Sequence, residues 1–199
     1  MLTLKKIAVT GAISSGKTQL CSCFREFGAY VVSADEIVHQ LLSSNTISGK
    51  KVIALLGSGI LDNNRISHAA IAEKVFNNPS QLTALEEILH PEVFSRIEIE
   101  YRKASKQKAP LFVAEVPLLF ETGAEKLFDE TIVVIADEQT SIERYTKSGT
   151  KDKNEYRLRM SQQLPPKEKA ARATYTIFND GSLQDLQTEA KKIYNQLTA

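Results

Sequence analysis

The chain has 199 residues, of which 42% are hydrophobic and 25% charged, and its formal net charge is +1. These values are typical of one globular domain that is long enough for a sizeable core. The near-neutral charge gives no overall reason to expect a nucleic-acid partner, and no stretch approaches the roughly 18 apolar residues of a membrane span.

The cysteines and the N-terminal residues indicate the cellular compartment of the protein. Cys21 and Cys23 lie two residues apart on a predicted helix, where they face different directions and cannot pair with each other. The opening residues lack the long apolar core of a signal peptide. Both observations favour a soluble protein in the reducing environment of the cytoplasm.

A glycine-rich loop follows the first apolar run. Ile7–Val9 leads into Gly11–Thr18, GAISSGKT, which fills every specified position of the pattern G-x-x-x-x-G-K-[ST]. At a strand-to-helix turn, successive backbone N–H groups and the helix N-terminus converge on phosphate oxygens. The loop therefore predicts that the chain binds a nucleoside triphosphate.

Several residues of this loop have separate chemical tasks. Lys17 would reach the β- and γ-phosphates, and the Thr18 hydroxyl would hold Mg²⁺. Gly11 and Gly16 allow backbone geometry that a Cβ would obstruct. The predicted nucleotide-binding residues in this stretch are Gly11, Ser14, Ser15, Gly16, Lys17, Thr18 and Gln19.

The next elements alternate between helix and strand. We predict a helix over Gln19–Phe27, a strand over Ala29–Val32 and a helix over Asp35–Leu42. Asp35 then falls at the carboxyl end of a strand, the edge at which parallel α/β sheets bind ligands. Favourable pairing with the helix dipole is the commoner role of a lone Asp in a first helical turn, so the pattern alone favours that role over catalysis.

Residues 43–106 are predicted to form a long helical excursion without strands. The expected helices are Ile47–Leu56, Ser67–Phe76, Pro79–Leu89 and Pro91–Ser105, with His90-Pro91 as a sharp break. A helical block of this size between two strands indicates an inserted substrate domain. Its polar candidates are Arg65, His68 and His90, although surface or capping duty is the commoner role of an isolated histidine.

Strand patterns return after this block. Strands are expected within Pro110–Leu119 and at Glu130–Ala136 and Tyr175–Phe178, with a closing helix at Leu183–Leu197. The charged run Ser141–Gln163, ended by Pro165-Pro166, is either a solvated helix face or a lid that supplies cations to a transferred phosphoryl group.

The alternation of strands and helices predicts an α/β fold, with the parallel three-layer α/β/α sheet of P-loop NTPases, a helical substrate-binding insert and a lid. The predicted nucleotide-binding core comprises residues 1–34, 108–140 and 173–199. The predicted acceptor-binding insert is 35–107, and the predicted lid is 141–172.

Some classes of P-loop protein do not fit. A GTPase needs an N/T-K-x-D motif, and Thr146-Lys147 and Thr150-Lys151 lack the Asp at the required place. Motor and transport ATPases usually need more than 199 residues. A small kinase fits the compact core, the helical insert and the basic lid.

Further motifs extend over nearly the whole chain. They are VSAD at Val32–Asp35, VFNN at Val75–Asn78, LEEILHP at Leu85–Pro91, VPLLFE at Val116–Glu121, Arg159 with Gln163, and Asn179–Gly181. In type and order they resemble the motifs of the dephospho-CoA kinase family. The resemblance implies an ATP-dependent enzyme, assisted by Mg²⁺, that phosphorylates the 3′-hydroxyl of dephospho-CoA to give coenzyme A and ADP.

The resemblance also implies roles for single residues. Asp35 would be the base that orients the 3′-hydroxyl, while Lys17 and Arg159 would hold the charge of the phosphoryl group. Arg144 and Asn179 would lie near the base of ATP. The implied acceptor-binding residues are Asp35, Arg65, His68, His90, Pro117 and Leu118.

The sequence departs from the family pattern at positions that carry other residues in many members: Ser14, Ser33, His68, Ser148 and Thr174. None of these departures removes Lys17, Thr18, Asp35 or Arg159, the residues to which the chemistry is assigned. Two rival hypotheses remain: a nucleoside or nucleotide kinase of the same architecture, and a nucleotide-binding regulatory module that has lost catalysis. The oligomeric state does not follow from the sequence, and a monomer is compatible with it.

Overall fold

The computed structural model describes residues 4–76, 78–148 and 152–199. Expectations that involve residues 1–3, Asn77, Thr150 or Lys151 lie outside these ranges. The chain divides into two compact units. One comprises the residues up to Ser33 together with Tyr101–Ala199, and the other comprises Ala34–Glu100.

The elements alternate along the chain much as the sequence predicts. The strands are β1 Lys6–Gly11, β2 Tyr30–Ser33, β3 Leu61–Asp62, β4 Arg65–Ile66, β5 Phe112–Glu115, β6 Glu130–Ile135 and β7 Tyr175–Phe178. The helices are α1 Lys17–Glu26, α2 Ala34–Leu41, α3 Ile47–Leu56, α4 His68–Phe76, α5 Pro79–Lys106, α6 Glu138–Lys147, α7 Lys153–Met160, α8 Pro166–Arg172 and α9 Leu183–Thr198. Short 3₁₀ helices occur at Ser58–Ile60 and Ala124–Leu127.

The first unit is built on a five-stranded sheet in the order β2-β5-β1-β6-β7, with every neighbouring pair parallel. Successive residues of a strand face opposite sides, and both sides are buried here. Ile7 and Val9 belong to a cluster with residues of α1 and α9, whereas Phe112 on the opposite side stacks edge-on against Tyr101 from the end of α5. This arrangement confirms the predicted α/β fold and places the end of β1 at the centre of the sheet.

The second unit has a core of its own. It is formed by the buried residues Leu42, Val52, Leu56, Ile60, Ile66, Ile71, Val75, Leu85 and Leu89. The unit also contains the antiparallel hairpin β3–β4, so the prediction of a strand-free block was wrong. Asn63 and Asn64, which connect the two strands, both have positive φ, at 47° and 62°. Two-residue hairpin turns favour Asn at such positions, and the Asn-Asn pair was the overlooked signal.

Helix α5 runs without interruption through Pro91, so the predicted break at His90-Pro91 was also wrong. The proline removes one backbone N–H donor from the helix. However, Leu85, Leu89, Val93 and Ile97 form a buried row at four-residue spacing that crosses the proline. Burial of this row on both sides of Pro91 outweighs the local cost.

The charged run from Ser141 is not one helix. It contains α6 and α7, and α6 begins before the predicted start, at the N-cap Asp137, whose carboxylate accepts a hydrogen bond from the Thr140 N–H. Asp152 caps α7 in the same way by accepting from two backbone N–H groups. Among the described residues, no helix is both long enough and apolar enough to cross a membrane.

Candidate active site

The glycine-rich loop connects β1, the central strand, to α1. Gly11 has φ 147°, and a Cβ there would lie 2.2 Å from the backbone oxygen of Val134 on β6. Gly16 has φ 102°, and a Cβ there would lie 2.1 Å from Nδ2 of Asn179. Only glycine fits at either position, because the neighbouring strands pack directly against the loop.

Two serines complete the loop. Ser14 stands where many family members have glycine and adopts φ 55°, within the small left-handed region open to residues with a Cβ. The hydroxyl oxygen of Ser15 is buried and has no hydrogen-bond partner in the described structure. A buried hydroxyl without a partner in an anion-binding loop is a donor available to a ligand.

Lys17 is almost fully buried, with 8% of its surface exposed. Its ammonium donates a hydrogen bond of 2.7 Å to the backbone oxygen of Ala12 within the same loop. This contact satisfies part of the buried charge and holds the side chain over the loop. The cation is therefore in place before any ligand binds.

The next residue links the loop to the neighbouring strand. The Thr18 hydroxyl donates a hydrogen bond of 2.8 Å to Oε1 of Glu115, the last residue of β5. Glu115 is also nearly buried, although its strand is otherwise apolar. A hydroxyl and a carboxylate side by side supply the hard oxygen ligands that Mg²⁺ prefers, so these residues fit a divalent cation. No group of three or more His, Cys, Asp or Glu side chains in metal-binding geometry occurs among the described residues.

Asn179 fixes the loop from the other side of β1. It follows β7, and its amide donates a hydrogen bond of 2.8 Å to the backbone oxygen of Ser15. Its own backbone N–H donates to the Ile135 carbonyl at the end of β6. The sequence associates Asn179 with the nucleotide base, and the structure gives it this contact with the loop.

The helix side of the loop, from Gly16 to Gln19, borders two clefts of the described structure. The larger, of about 650 Å³, is lined by Ser14, Gly16, Lys17, Thr18, Gln19, Ser22, Arg25, Arg144 and Ser148. The smaller, of about 250 Å³, is lined by Gly16, Gln19, Arg144, Asn179, Gly181, Leu183 and Leu186. Arg144 borders both clefts, and its Nη1 is buried without a hydrogen-bond partner among the described residues.

Arg25 is a cleft residue that the sequence analysis missed. Thr18, Ser22 and Arg25 follow the i, i+4, i+7 spacing of one helix face, so the signal was available once Thr18 was placed in the site. Arg25 faces the same cleft as Ser148, the position at which the family pattern has a second lid arginine. The cleft therefore has a cation that the motif comparison did not anticipate.

Helix α7 carries two arginines with different surroundings. Arg159 is exposed and pairs with Glu155, four residues earlier on the same helix, at 2.8 Å. Arg157 lines a cavity of about 410 Å³ together with Ala12 of the loop and Ala136 after β6. The structure thus brings Arg157 to the side of the loop, whereas the role of Arg159 stays a prediction.

The VPLLFE segment lies directly after β5. The backbone oxygen of Pro117 accepts hydrogen bonds from the Thr10 hydroxyl and from the Lys169 ammonium, both at 3.0 Å. The backbone oxygen of Leu118 accepts from the Thr122 hydroxyl at 2.8 Å. These backbone contacts organise the segment, and the acceptor role predicted for Pro117 and Leu118 stays a prediction.

The remaining predicted acceptor residues belong to the second unit. Asp35 lies in the first turn of α2, two residues after Ser33, and Ser33 pairs in register with Glu115. Arg65 is exposed on β4, and His90 is half-buried within α5.

His68 begins α4, and its ring stacks on that of His39 with centroids 4.9 Å apart. Desolvation, followed by the charge of His39, lowers the pKa of His68 below its usual 6.5. The two imidazoles are therefore electrostatically coupled.

The parallel sheet, the glycine loop at its central strand and the Lys17–Thr18–Glu115 arrangement define a P-loop nucleotide-binding protein. The family model described as dephospho-CoA kinase matches residues 5–185. A dephospho-CoA kinase of Protochlamydia amoebophila is 47% identical over 99% of this chain and 98% of its own length. The chain belongs to the dephospho-CoA kinase family.

Solved structures share the fold. A crystal structure of a Thermus thermophilus protein aligns over the whole of both chains with a TM-score of 0.85 and 32% identity. A dephospho-CoA kinase of Campylobacter jejuni aligns over 98% of both chains with a TM-score of 0.65 and 24% identity, and this second likeness concerns the fold alone.

Proposed function

We propose that the protein transfers the γ-phosphoryl group of ATP to the 3′-hydroxyl of dephospho-CoA, giving coenzyme A and ADP in the last step of coenzyme A synthesis. Membership of the family along nearly the full chain supports this reaction. The structural observation that carries it is the loop itself, where a buried lysine and a Thr–Glu pair follow the glycine-rich turn.

The loop would bind the triphosphate through its backbone N–H groups and the N-terminus of α1. Lys17 would exchange its Ala12 contact for phosphate oxygens, which develop additional negative charge during transfer. Arg144 and Asn179 border the smaller cleft beside the loop, which supports their assignment to the base of ATP.

The divalent cation would be Mg²⁺, held by the Thr18 hydroxyl and by Glu115, directly or through water. Bound there with ATP, it would neutralise charge on the β- and γ-phosphates. The hydrogen bond between the two side chains keeps their oxygens 2.8 Å apart.

The acceptor would be activated by Asp35. Its carboxylate would take the proton of the 3′-hydroxyl as the 3′-oxygen forms its bond to the γ-phosphorus. The bond from that phosphorus to the β–γ bridging oxygen would break, and ADP would leave with the bonding electrons. We assign Arg65, His68, His90, Pro117 and Leu118 to binding of the acceptor.

We assign the cations of α7 to the transfer step. Arg159 would leave Glu155 and meet the phosphoryl group as the lid closes over ATP, which also excludes water. An exposed ion pair is worth about 0–1 kcal/mol, so this exchange costs little. The lid is proposed to comprise residues 141–172, of which 149–151 lie outside the described residues.

We further propose that the enzyme acts in the cytoplasm as a monomer. The free, buried state of Cys21 and Cys23 supports a reducing compartment, since neither thiol is used in a disulfide. One chain carries all the residues assigned to the reaction. Light scattering of the purified enzyme during turnover would test the monomer, and an obligate dimer would contradict it.

The reaction is tested by measuring ADP release with ATP and Mg²⁺, with and without dephospho-CoA, beside a panel of nucleosides and nucleoside monophosphates. We expect release that depends strictly on dephospho-CoA. Release driven by a nucleoside or its monophosphate would instead identify a nucleotide kinase. ATP binding without release for any acceptor would identify a regulatory module.

The base is tested with Asp35→Asn, for which Glu36→Gln in the same helical turn is the matched control. Loss of a general base should lower kcat by about 10²–10⁴-fold, with ATP binding nearly unchanged. Glu36→Gln should keep wild-type turnover. Wild-type turnover in Asp35→Asn would mean that another group takes the proton.

A further inference from the structure

A buried lysine outside the motifs lies near the C-terminal end of the proposed lid. Lys169 on α8 has no exposed surface. Its ammonium forms an ion pair with Glu121 at 2.8 Å and donates to the backbone oxygen of Pro117 at 3.0 Å and to Oε1 of Gln163 at 3.3 Å. An ammonium has three N–H donors, and three acceptors surround this one.

On one side this cluster contacts the base of the phosphate loop. The Pro117 oxygen that accepts from Lys169 also accepts from the hydroxyl of Thr10, the residue before Gly11. Pro117 also lies two residues after Glu115, which accepts the hydrogen bond of Thr18. A shift of Pro117 would therefore disturb the hydrogen bonds at both ends of the loop.

On the other side the cluster contacts the residues that follow α7. Glu121 Oε1, the oxygen paired with Lys169, also accepts a hydrogen bond of 2.9 Å from the backbone N–H of Leu164. Gln163 and Leu164 lie three and four residues beyond Met160, the last residue of α7, which is the helix that carries Arg157 and Arg159. The lysine thus fixes the C-terminal base of α7 relative to the loop.

Net stabilisation is a poor explanation for this arrangement. Removing two charges from water costs free energy that their attraction often fails to repay, and apolar pairs of similar volume are often as stable. The other carboxylate oxygen of Glu121 is buried without a hydrogen-bond partner in the described structure, which adds to the cost. What the cluster does provide is a fixed geometry, because charged hydrogen bonds hold several backbone positions in place at once.

We infer that Lys169 is a positioning residue for phosphoryl transfer. It holds the base of α7 at a set distance from the phosphate loop, so that the arginines of α7 meet the γ-phosphate when the lid closes. Lys169 itself touches neither substrate. This inference rests on the proposed kinase reaction.

The main test is the double variant Lys169→Met with Glu121→Gln. It removes both charges, so neither is left buried without its partner. We expect thermal stability close to that of the wild type and a KM for ATP within about threefold, but a kcat lowered by at least about tenfold, because α7 would no longer be held in place for the transfer step. Lys167→Met, an exposed lysine of the same helix, is the matched control and should keep the wild-type kcat.

A second variant and a second readout keep the test decisive. Gln163→Leu removes one neutral acceptor and should lower kcat by a few-fold, with a melting temperature lower by a few degrees because one N–H of the buried Lys169 loses its acceptor. Amide hydrogen exchange over residues 153–164 should be faster in both variants than in the wild type with ATP bound. A wild-type kcat in a folded double variant, or in Gln163→Leu if the double variant does not fold, would overturn the inference.

The outcomes also separate this inference from the reaction on which it rests. A wild-type enzyme inactive toward dephospho-CoA would overturn the proposed function. The exchange measurement with ATP alone would still show whether Lys169 anchors α7. Unchanged exchange in the double variant would then contradict the anchoring.

Discussion

Lys17 and Arg159 are both assigned to the charge of the transferred phosphoryl group, yet the protein holds them in different ways. Lys17 is nearly buried in a loop that is fixed from two other strands, by Asn179 after β7 and by Glu115 and Pro117 at the end of β5. The Arg159 side chain is 56% exposed and pairs only one turn away, with Glu155. Contacts from distant segments immobilise a group, whereas a local surface pair exchanges easily. The loop is therefore preorganised, whereas Arg159 of α7 can readily exchange its ion pair for another contact.

The largest effect is expected from Lys17→Ala, which removes the preorganised cation. We expect kcat/KM to fall about 10³-fold, as for loss of a major electrostatic contact, together with weaker ATP binding. Steady-state kinetics and calorimetric titration of ATP measure the two effects. Lys192→Ala, which affects a surface pair with Glu189, is the control and should change neither. Unchanged ATP binding in Lys17→Ala would overturn the loop assignment.

The next effect is expected from Arg159→Gln. A contact made only during transfer should lower kcat by roughly 10–100-fold and leave the dissociation constant of ATP within about twofold. Glu155→Gln, which frees the arginine, should retain full activity. Arg157→Gln is the informative comparison, since Arg157 already borders a cavity beside Ala12. A lower kcat in Arg157→Gln but not in Arg159→Gln would show that Arg157, which already borders the cavity beside Ala12, is the cation that contacts the phosphoryl group.

A smaller effect is expected from Asn179→Ala, which releases the loop from β7. The Ser15 carbonyl would lose its buried hydrogen bond, at a cost of about 1–3 kcal/mol. We expect a melting temperature lower by several degrees and ATP binding weaker by a few-fold. Asn195→Ala on the exposed side of α9 is a suitable control. Equal melting temperatures for the two variants would mean that the loop holds its shape without Asn179.

The smallest effect concerns the His39–His68 pair, which extends the comparison to a contact between α2 and α4 in the second unit. Since the pKa of His68 is lowered in the folded state, the unfolded chain binds the proton first as pH falls below about 6.5. The pair's contribution to stability is therefore complete above that pH and is lost as pH falls toward the lowered pKa. His39→Asn should raise the pKa of His68 only in part, because desolvation is the larger cause. An NMR titration of the imidazole protons measures this shift, and an unchanged pKa would exclude coupling.

A feature could be predicted from the sequence when the residues that determine it lie close together along the chain. The loop and the parallel sheet followed from local patterns, since Gly11–Thr18 is one continuous motif. The continuity of α5 did not, because a buried row on both sides of Pro91 decides it. The hairpin turn at Asn63-Asn64 carried a local signal that was overlooked.

Parts of the candidate site lay beyond any local pattern. Glu115 could be recognised as unusual, since an acid in an apolar strand needs a partner, but its contact with Thr18 spans 97 positions. Lys169 could not be found, because an isolated lysine in a basic segment looks like surface until the packing around it is known. The contacts of Asn179 with Ser15 were hidden for the same reason.

The division of the chain into units also has a consequence for how it is made. The sheet pairs Ile7 of β1 with Val113 of β5, about 100 residues later, whereas Ala34–Glu100 is one continuous segment with its own core. During synthesis the helical segment can therefore collapse as soon as it leaves the ribosome. In contrast, β1 and the loop cannot pack into the sheet until β5 and β6 have been synthesised. Closing so long a connection is slow, so the nucleotide site should be the last part of the nascent protein to form.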